Sequence, residues 1–171
     1  YNPRQGISFR YNFPKEPGSV AFLSQSGGNA GEFVYRAATR GVRFSKVFSF
    51  GNASDLNEAD LLEYLEADPE TTIVTAYIEG VRDGHRFFTA LRRTAARKPV
   101  IIYKGAITNA GARSAASHTA SLAGEGILWD SLLRQTGAIQ ATNLDDLADL
   151  AIAFLFFPRT STRTIGVYGG G

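Results

Sequence analysis

A short apolar run at positions 20–23, Val-Ala-Phe-Leu, opens a pattern that recurs along the chain. Each repeat has a hydrophobic stretch, a turn marked by glycine or asparagine, and a longer segment whose apolar residues fall three and four apart. The first run passes through Ser24, Gln25, Ser26, Gly27 and Gly28 into a helical segment that reaches about Arg40 and stops at Gly41. Residues 44–50 read as a second strand. After Gly51 and Asn52, the positions Leu56, Ala59, Leu61, Leu62 and Leu65 share one helical face, closed by Asp68 and Pro69. Residues 71–78 are rich in β-branched side chains and lead through Glu79 and Gly80 to a helix around 85–96. A buried run at 99–103 then ends in Lys104 and Gly105. Beyond a small-residue segment at 106–124, the spacing predicts a helix over 125–135, a short run over 138–141, and a last long helix capped by Asn143. Asp145 and Asp146 fall in its first turn, where they complement the exposed amide donors and the positive end of the helix dipole.

Strands alternating with helices imply right-handed crossovers and a parallel sheet covered on both faces. The expected architecture is α/β, a flavodoxin-like doubly wound parallel sheet with helices on both faces. The first 19 residues hold three of the six prolines and no sustained periodicity, so they read as an extended lead-in. In such folds ligands gather at the carboxyl ends of the strands, and four segments should meet there: 24–28, Gly51-Asn52, Glu79-Gly80 and 104–124.

Composition narrows the chemistry. A chain of 171 residues, 44% hydrophobic and 20% charged, can bury a single core without disulfides. It has no cysteine, which excludes thiolate metal sites, iron–sulfur ligation, a thiol nucleophile and a disulfide framework. Methionine is also absent, even at position 1, so a piece of a longer product is expected. The net charge is +2, with 14 Arg and 4 Lys dispersed among acidic residues, and no nucleic-acid patch is expected. The most apolar stretch, 147–157, carries Asp149 and ends at Pro158, short of the roughly 20 residues that span a bilayer. With no signal peptide visible, a cytoplasmic location without membrane association is expected.

Two segments carry candidate chemistry. Glycines at the strand-to-helix turn of 24–28 let backbone N–H groups point at an anion that the helix dipole also favours, and Ser24 and Ser26 can add hydroxyl donors. Equally, Gly27 and Gly28 can serve only a tight turn, and Ser26 only as a cap. The segment 104–124 reads KGAITNAGARSAASHTASLAG, with Ile107 and Leu122 as its only large hydrophobes. It displays His118 between Ser117 and Thr119, whose hydroxyls can orient an imidazole or a phosphoryl group. General base and nucleophile are both open to that histidine. A metal site is not expected, because the chain has only two histidines and His85 reads as an exposed helix start. Glu79 ends an apolar strand at the same edge, where it either holds the free ring nitrogen of His118 or is a plain cap.

Four stretches then carry a resemblance: VAFLSQSGG at 20–28, FGNASDLNEADLLEYLEADPET at 50–71, YIEG at 77–80, and the segment 104–124 quoted above. Together they resemble the central flavodoxin-like domain of NDP-forming acyl-CoA synthetases, the family that includes ADP-forming acetyl-CoA synthetase and succinyl-CoA synthetase. The resemblance implies a ligase in which His118 is the phosphohistidine, supported by Ser117 and Thr119. It implies that Ser24, Ser26, Gly27 and Gly28 bind phosphate at a helix N-terminus, and that Glu79 orients the histidine. The chemistry implied is reversible: acyl-CoA plus phosphate gives acyl phosphate and CoA, the phosphoryl group moves to histidine, then to ADP. Ala120 departs from the Gly that relatives commonly carry after His-Thr.

The same resemblance implies that residues 1–18 are a linker from an upstream CoA-binding domain, 19–160 the domain itself, and 161–171 the start of a following module. CoA, ATP or ADP with Mg, and a small carboxylic acid would be substrates bound mainly by other parts of the enzyme, with no cofactor tightly bound here. The implied partners are the CoA-binding domain and an ATP-grasp domain or subunit, within an oligomer. Two other readings remain at this stage. One is a flavodoxin-like module holding a flavin phosphate. The other is a non-catalytic regulatory module, including a degenerate synthetase segment of a protein acetyltransferase.

Overall fold

The computed structural model describes residues 1–105, 126–157, 164 and 166–169. Strands and helices alternate among them: β1 (Val20–Ser24), α1 (Gly27–Thr39), β2 (Phe44–Ser49), α2 (Glu58–Ala67), β3 (Ile73–Ile78), α3 (Gly84–Arg97), β4 (Val100–Lys104), α4 (Gly126–Thr136), β5 (Ile139–Ala141) and α5 (Leu144–Phe156). The strands form one parallel sheet in the order β2-β1-β3-β4-β5. This is the expected doubly wound α/β arrangement.

The central strands are buried along nearly their whole length and mostly apolar because both of their faces are covered. Their side chains alternate between two cores. Val20 and Phe22 of β1 point to the face covered by α1 and α5, where they meet Phe33, Val34, Leu147 and Ala151. Ala21 and Leu23 point to the other face, among Leu62, Leu65, Phe87, Leu91, Trp129 and Leu133 of α2, α3 and α4. The aromatic rings of Phe22 and Phe33 lie 4.4 Å apart, and Phe33 meets Phe44 edge-on at 5.9 Å.

The lead-in departs from a simple extended segment. Pro3–Gln5 forms a single 3-10 turn, capped by the Asn2 side chain, and Asn2 pairs back with Ile7. The reason is the exposed edge of β2, whose unpaired backbone groups need partners. Tyr1 N donates to Val47 O and Val47 N donates to Tyr1 O, both at 2.8 Å. Arg4 adds an ion pair to Glu70 at 2.6 Å. Lys46 is buried behind this edge and is neutralised by Asp68 at 2.8 Å and Glu70 at 2.6 Å.

Gly18 joins the lead-in to β1. Its N–H donates to Phe44 O at 2.9 Å, and a Cβ there would fall 2.3 Å from both Arg43 Cβ and Arg43 O. The obstacle includes backbone, so a rotamer change cannot relieve it. Gly18→Ala should lower unfolding stability by about 2–4 kcal/mol in a denaturant titration. A loss under about 0.5 kcal/mol would show that the β1 entry can shift freely.

Candidate functional site

From β1 the chain runs outward to β2 and then returns across β1 to β3, so the winding direction reverses between β1 and β3. A crevice opens beyond the carboxyl ends of two strands that diverge in this way, which is where doubly wound domains bind ligands. The segments 24–28 and Glu79-Gly80 flank it.

Ser24 is completely buried and shapes the turn: its Oγ donates to Ser26 O at 2.7 Å and accepts from Ser26 N at 3.1 Å. Ser26 is the N-cap of α1, its Oγ accepting from Asn29 N at 3.3 Å. Gly27 and Gly28 are the first two residues of the helix and are exposed. Neither has a positive φ, and a Cβ on either would meet nothing nearer than 3.7 Å. The chain's own packing and turn geometry therefore do not require glycine at these positions. What the missing side chains leave is an open backbone surface at the positive end of the dipole.

The electrostatics of this helix end are unusual within the molecule. α2 carries Glu58 and Asp60 in its first turn, α5 carries Asp145 and Asp146, and α3 is capped by Asp83. α1 has a neutral Ser cap and no acid in its first turn. Among the α-helices whose caps are described, α1 alone offers an N-terminus without a carboxylate, and it does so at the carboxyl edge of the sheet.

Glu79 stands on the other side, joined to the 24–28 turn through Gln25 and held at its carboxylate by Tyr77. Gln25, nearly buried, accepts at Oε1 from the backbone N–H of Glu79 and, at 3.0 Å, from that of Gly80, while its Nε2 donates to Gly80 O at 2.9 Å. Tyr77 donates its hydroxyl to Glu79 Oε1 at 3.0 Å. Burial first, and the Glu79 charge second, hold the Tyr77 hydroxyl well above its ordinary pKa, so it remains a donor. Gly105 makes room for it, since a Cβ there would lie 2.5 Å from Tyr77 Oη.

Behind Glu79 sits Lys104, 1% exposed, whose Nζ donates to Glu79 O at 2.7 Å and also to Gly105 O. The ammonium lies 5.3 Å from the Trp129 ring centroid. Desolvation pulls its pKa down from 10.5 to about 8. Because folding lowers this pKa, the unfolded chain holds more protons than the folded one between about pH 8 and 10.5. The penalty of the buried charge is thus full below pH 8 and fades as pH rises through that window. The stability of the native chain relative to Lys104→Met should rise by roughly 1–2 kcal/mol from pH 7.5 to 10.5, allowing for screening at the open sheet edge. Denaturant titrations of both chains test this; a flat difference would mean that Lys104 titrates as in water.

The Gly51-Asn52 segment also reaches this edge, where Phe50 N donates to Ser24 O at 3.0 Å. Gly51 and Ala53 both have positive φ, 50° and 52°, winding the end of β2 into a tight turn closed by Ala53 N donating to Phe50 O at 3.0 Å. Ala53 is the one non-glycine with positive φ among the described residues, a strained conformation of the kind that clusters at functional sites. Ser117, His118 and Thr119 lie outside the described residues. His85 is exposed in the first turn of α3. Among the described residues no group of three His, Cys, Asp or Glu side chains could hold a metal, and no helix is long and apolar enough to cross a membrane.

Gln25, Lys104 and Gly105 lie in segments expected at this edge, but they and Tyr77 were given no role of their own from sequence. Two of them carry a signal: Gln25 is a polar residue directly after an apolar strand, and Lys104 is a cation ending one.

Comparison with known proteins agrees with this fold. Residues 17–154 match the family model described as a succinyl-CoA ligase like flavodoxin domain. The chain is 40% identical over 156 residues to the acetate–CoA ligase [ADP-forming] I of Archaeoglobus fulgidus, a match covering 91% of this chain and 23% of that protein. It is 41% identical over 137 residues to the acetate–CoA ligase [ADP-forming] II subunit alpha of Pyrococcus furiosus, covering 80% and 30%. Among solved structures, the dinucleotide forming acetyl-coenzyme A synthetase 1 of Ca. Korarchaeum cryptofilum, in complex with phosphate and ADP, superposes with a TM-score of 0.80 at 34% identity, covering 88% of this chain and 33% of that one. The chain thus spans a third or less of the length of each.

Proposed function

Because the chain belongs to the succinyl-CoA ligase-like flavodoxin domain family, we propose that it is the phosphoryl-relay domain of an ADP-forming acyl-CoA synthetase, with His118 as the residue that carries the phosphoryl group. The observation that supports this most directly is the arrangement of residues beyond the carboxyl ends of β1 and β3. There, a helix N-terminus free of carboxylates, opened by Gly27 and Gly28, follows a turn whose Gln25 is bonded to the backbone of Glu79, and Tyr77 holds the Glu79 carboxylate.

In this reading acyl-CoA and phosphate give acyl phosphate and free CoA, and the neutral imidazole of His118 attacks phosphorus to release the carboxylic acid. The phosphoryl group then passes to ADP. The α1 amides, with Ser26 as the cap that holds them open and Ser24 as the residue that shapes the turn, stabilise the phosphoryl charge at that stage. Glu79 accepts from the ring nitrogen that does not carry phosphorus and so fixes the tautomer, while Ser117 and Thr119 flank the histidine. Residues 1–18 serve as the linker from a CoA-binding domain, and residues 161–171 lead into the next module. The nucleotide binds with Mg on an ATP-grasp domain or subunit of the same oligomeric, cytoplasmic enzyme.

The test is the intact mass of the parent synthetase after incubation with Mg-ATP. An adduct of one phosphoryl group, labile in acid, stable in base and mapped to His118, is the expected outcome. An active, nucleotide-binding parent that forms no such adduct would overturn the reading.

A further inference from the structure

Lys104 ends a strand that is otherwise Val-Ile-Ile-Tyr, and among the described residues no carboxylate lies within ion-pair distance of its Nζ. A buried ammonium that meets no described carboxylate in an ion pair, and feels Glu79 only at longer range, is a stability burden that a methionine or leucine in the same space would avoid. Its two acceptors are backbone carbonyls at adjacent places on the crevice edge, Glu79 O and Gly105 O. Gly105 N in turn donates to Ile78 O at 2.9 Å, so the ends of β3 and β4 are laced together one residue before Glu79. Glu79 is consequently held at three points by buried or nearly buried side chains: its N–H by Gln25, its carbonyl by Lys104 and its carboxylate by Tyr77. Places where a sequence breaks a packing rule without gaining stability are where function is expected to be found.

We infer that Lys104 is a positioning residue for the phosphoryl relay: its buried ammonium, bridging the carbonyls of Glu79 and Gly105, fixes the backbone from which the Glu79 carboxylate projects into the crevice. The assignment rests on the relay proposed above. Removing the bridge frees one peptide, and a displacement on the order of 1 Å in a group that orients a nucleophile is enough to slow transfer by ten- to a hundredfold.

The experiment is a double-mutant cycle in the parent synthetase with Lys104→Met, Glu79→Gln and the pair, each checked for an intact fold by circular dichroism and melting. Lys104→Met should lower kcat by about tenfold while leaving KM for CoA within about twofold, because the bridge acts on transfer and not on CoA binding. In the Glu79→Gln background the same change should have almost no further effect, since the carboxylate it positions is gone. A full kcat in Lys104→Met, or effects of the two changes that simply multiply, would overturn the assignment. Should Lys104→Met not fold, Lys104→Gln, which keeps a donor without the charge, is read by the same cycle. If the native enzyme forms no phosphohistidine, the relay reading falls and this assignment with it. If it forms one and the cycle is multiplicative, the positioning role alone falls.

Discussion

Replacing His118 by alanine in the parent synthetase should bring phosphoenzyme down to background, a loss of about 10³-fold or more, with the melting temperature unchanged. The expectation follows from what the relay requires. A phosphoryl group handed from acyl phosphate to ADP has to rest on a nucleophile that is unprotonated near neutral pH and whose bond to phosphorus keeps a high transfer potential. The chain has no cysteine, and its only other histidine, His85, sits exposed in the first turn of α3 with Asp83 capping the same helix end. Removal of the nucleophile itself leaves nothing for the remaining groups to orient, which is why the effect should exceed that of any supporting residue. His85→Ala serves as the control and should retain the full adduct. Intact-mass measurement after Mg-ATP treatment decides between them: phosphoenzyme surviving in His118→Ala, or lost in His85→Ala, would move the relay to another residue.

The parts of the fold that were legible in the sequence are those set by local rules. Asn143 caps its helix as side chains of that type do, and strands β1, β3 and β4 read as mostly apolar runs because they are buried on both faces. Where boundaries moved, a local polar bond outweighed periodicity. Leu56 fits the apolar face of α2 by spacing, yet it stays outside and half exposed because the reciprocal Asn57–Asp60 capping box starts the helix after it. Thr71 is β-branched, yet β3 begins at Ile73 because the Thr71 hydroxyl bonds Asp68 at 2.6 Å and Ser45 at 2.7 Å.

The site divides in the same way. The Ser/Gly turn and Glu79 were visible as motifs, but Gln25 and Lys104 acquire their roles only from partners 55 and 25 residues away. No window along the chain contains both ends of those bonds. The glycine pair shows the reverse case, in which structure removes a reading that sequence left open. A tight turn would need glycine at positive φ, as Gly41 and Gly51 show, and Gly27 and Gly28 are simply helical.

That last point yields the second large effect. Gly28→Asp should make the isolated fold more stable and the relay much slower. The site accepts a side chain, since a Cβ at position 28 finds only Ser26 Oγ, at 3.7 Å. Replacing a helical glycine recovers backbone entropy, and a carboxylate in the first turn complements the dipole, as Asp145 and Asp146 do in α5. Together these should add about 0.5–1 kcal/mol to unfolding stability. For a phosphoryl group seated on the same amides, however, the new carboxylate is a like charge about 4 Å away, a repulsion of up to about 4 kcal/mol at the effective dielectric of a protein surface. Phosphoenzyme formation should therefore fall by about 10²-fold. Gly28→Asn, which brings similar bulk without charge, should lose far less. A structural glycine would show the opposite signature, with stability and phosphorylation falling together in both variants. If Gly28→Asp instead forms phosphoenzyme at the native rate, the N-terminus of α1 takes no part in holding the phosphoryl group, and the stabilising charge must come from another segment of the crevice.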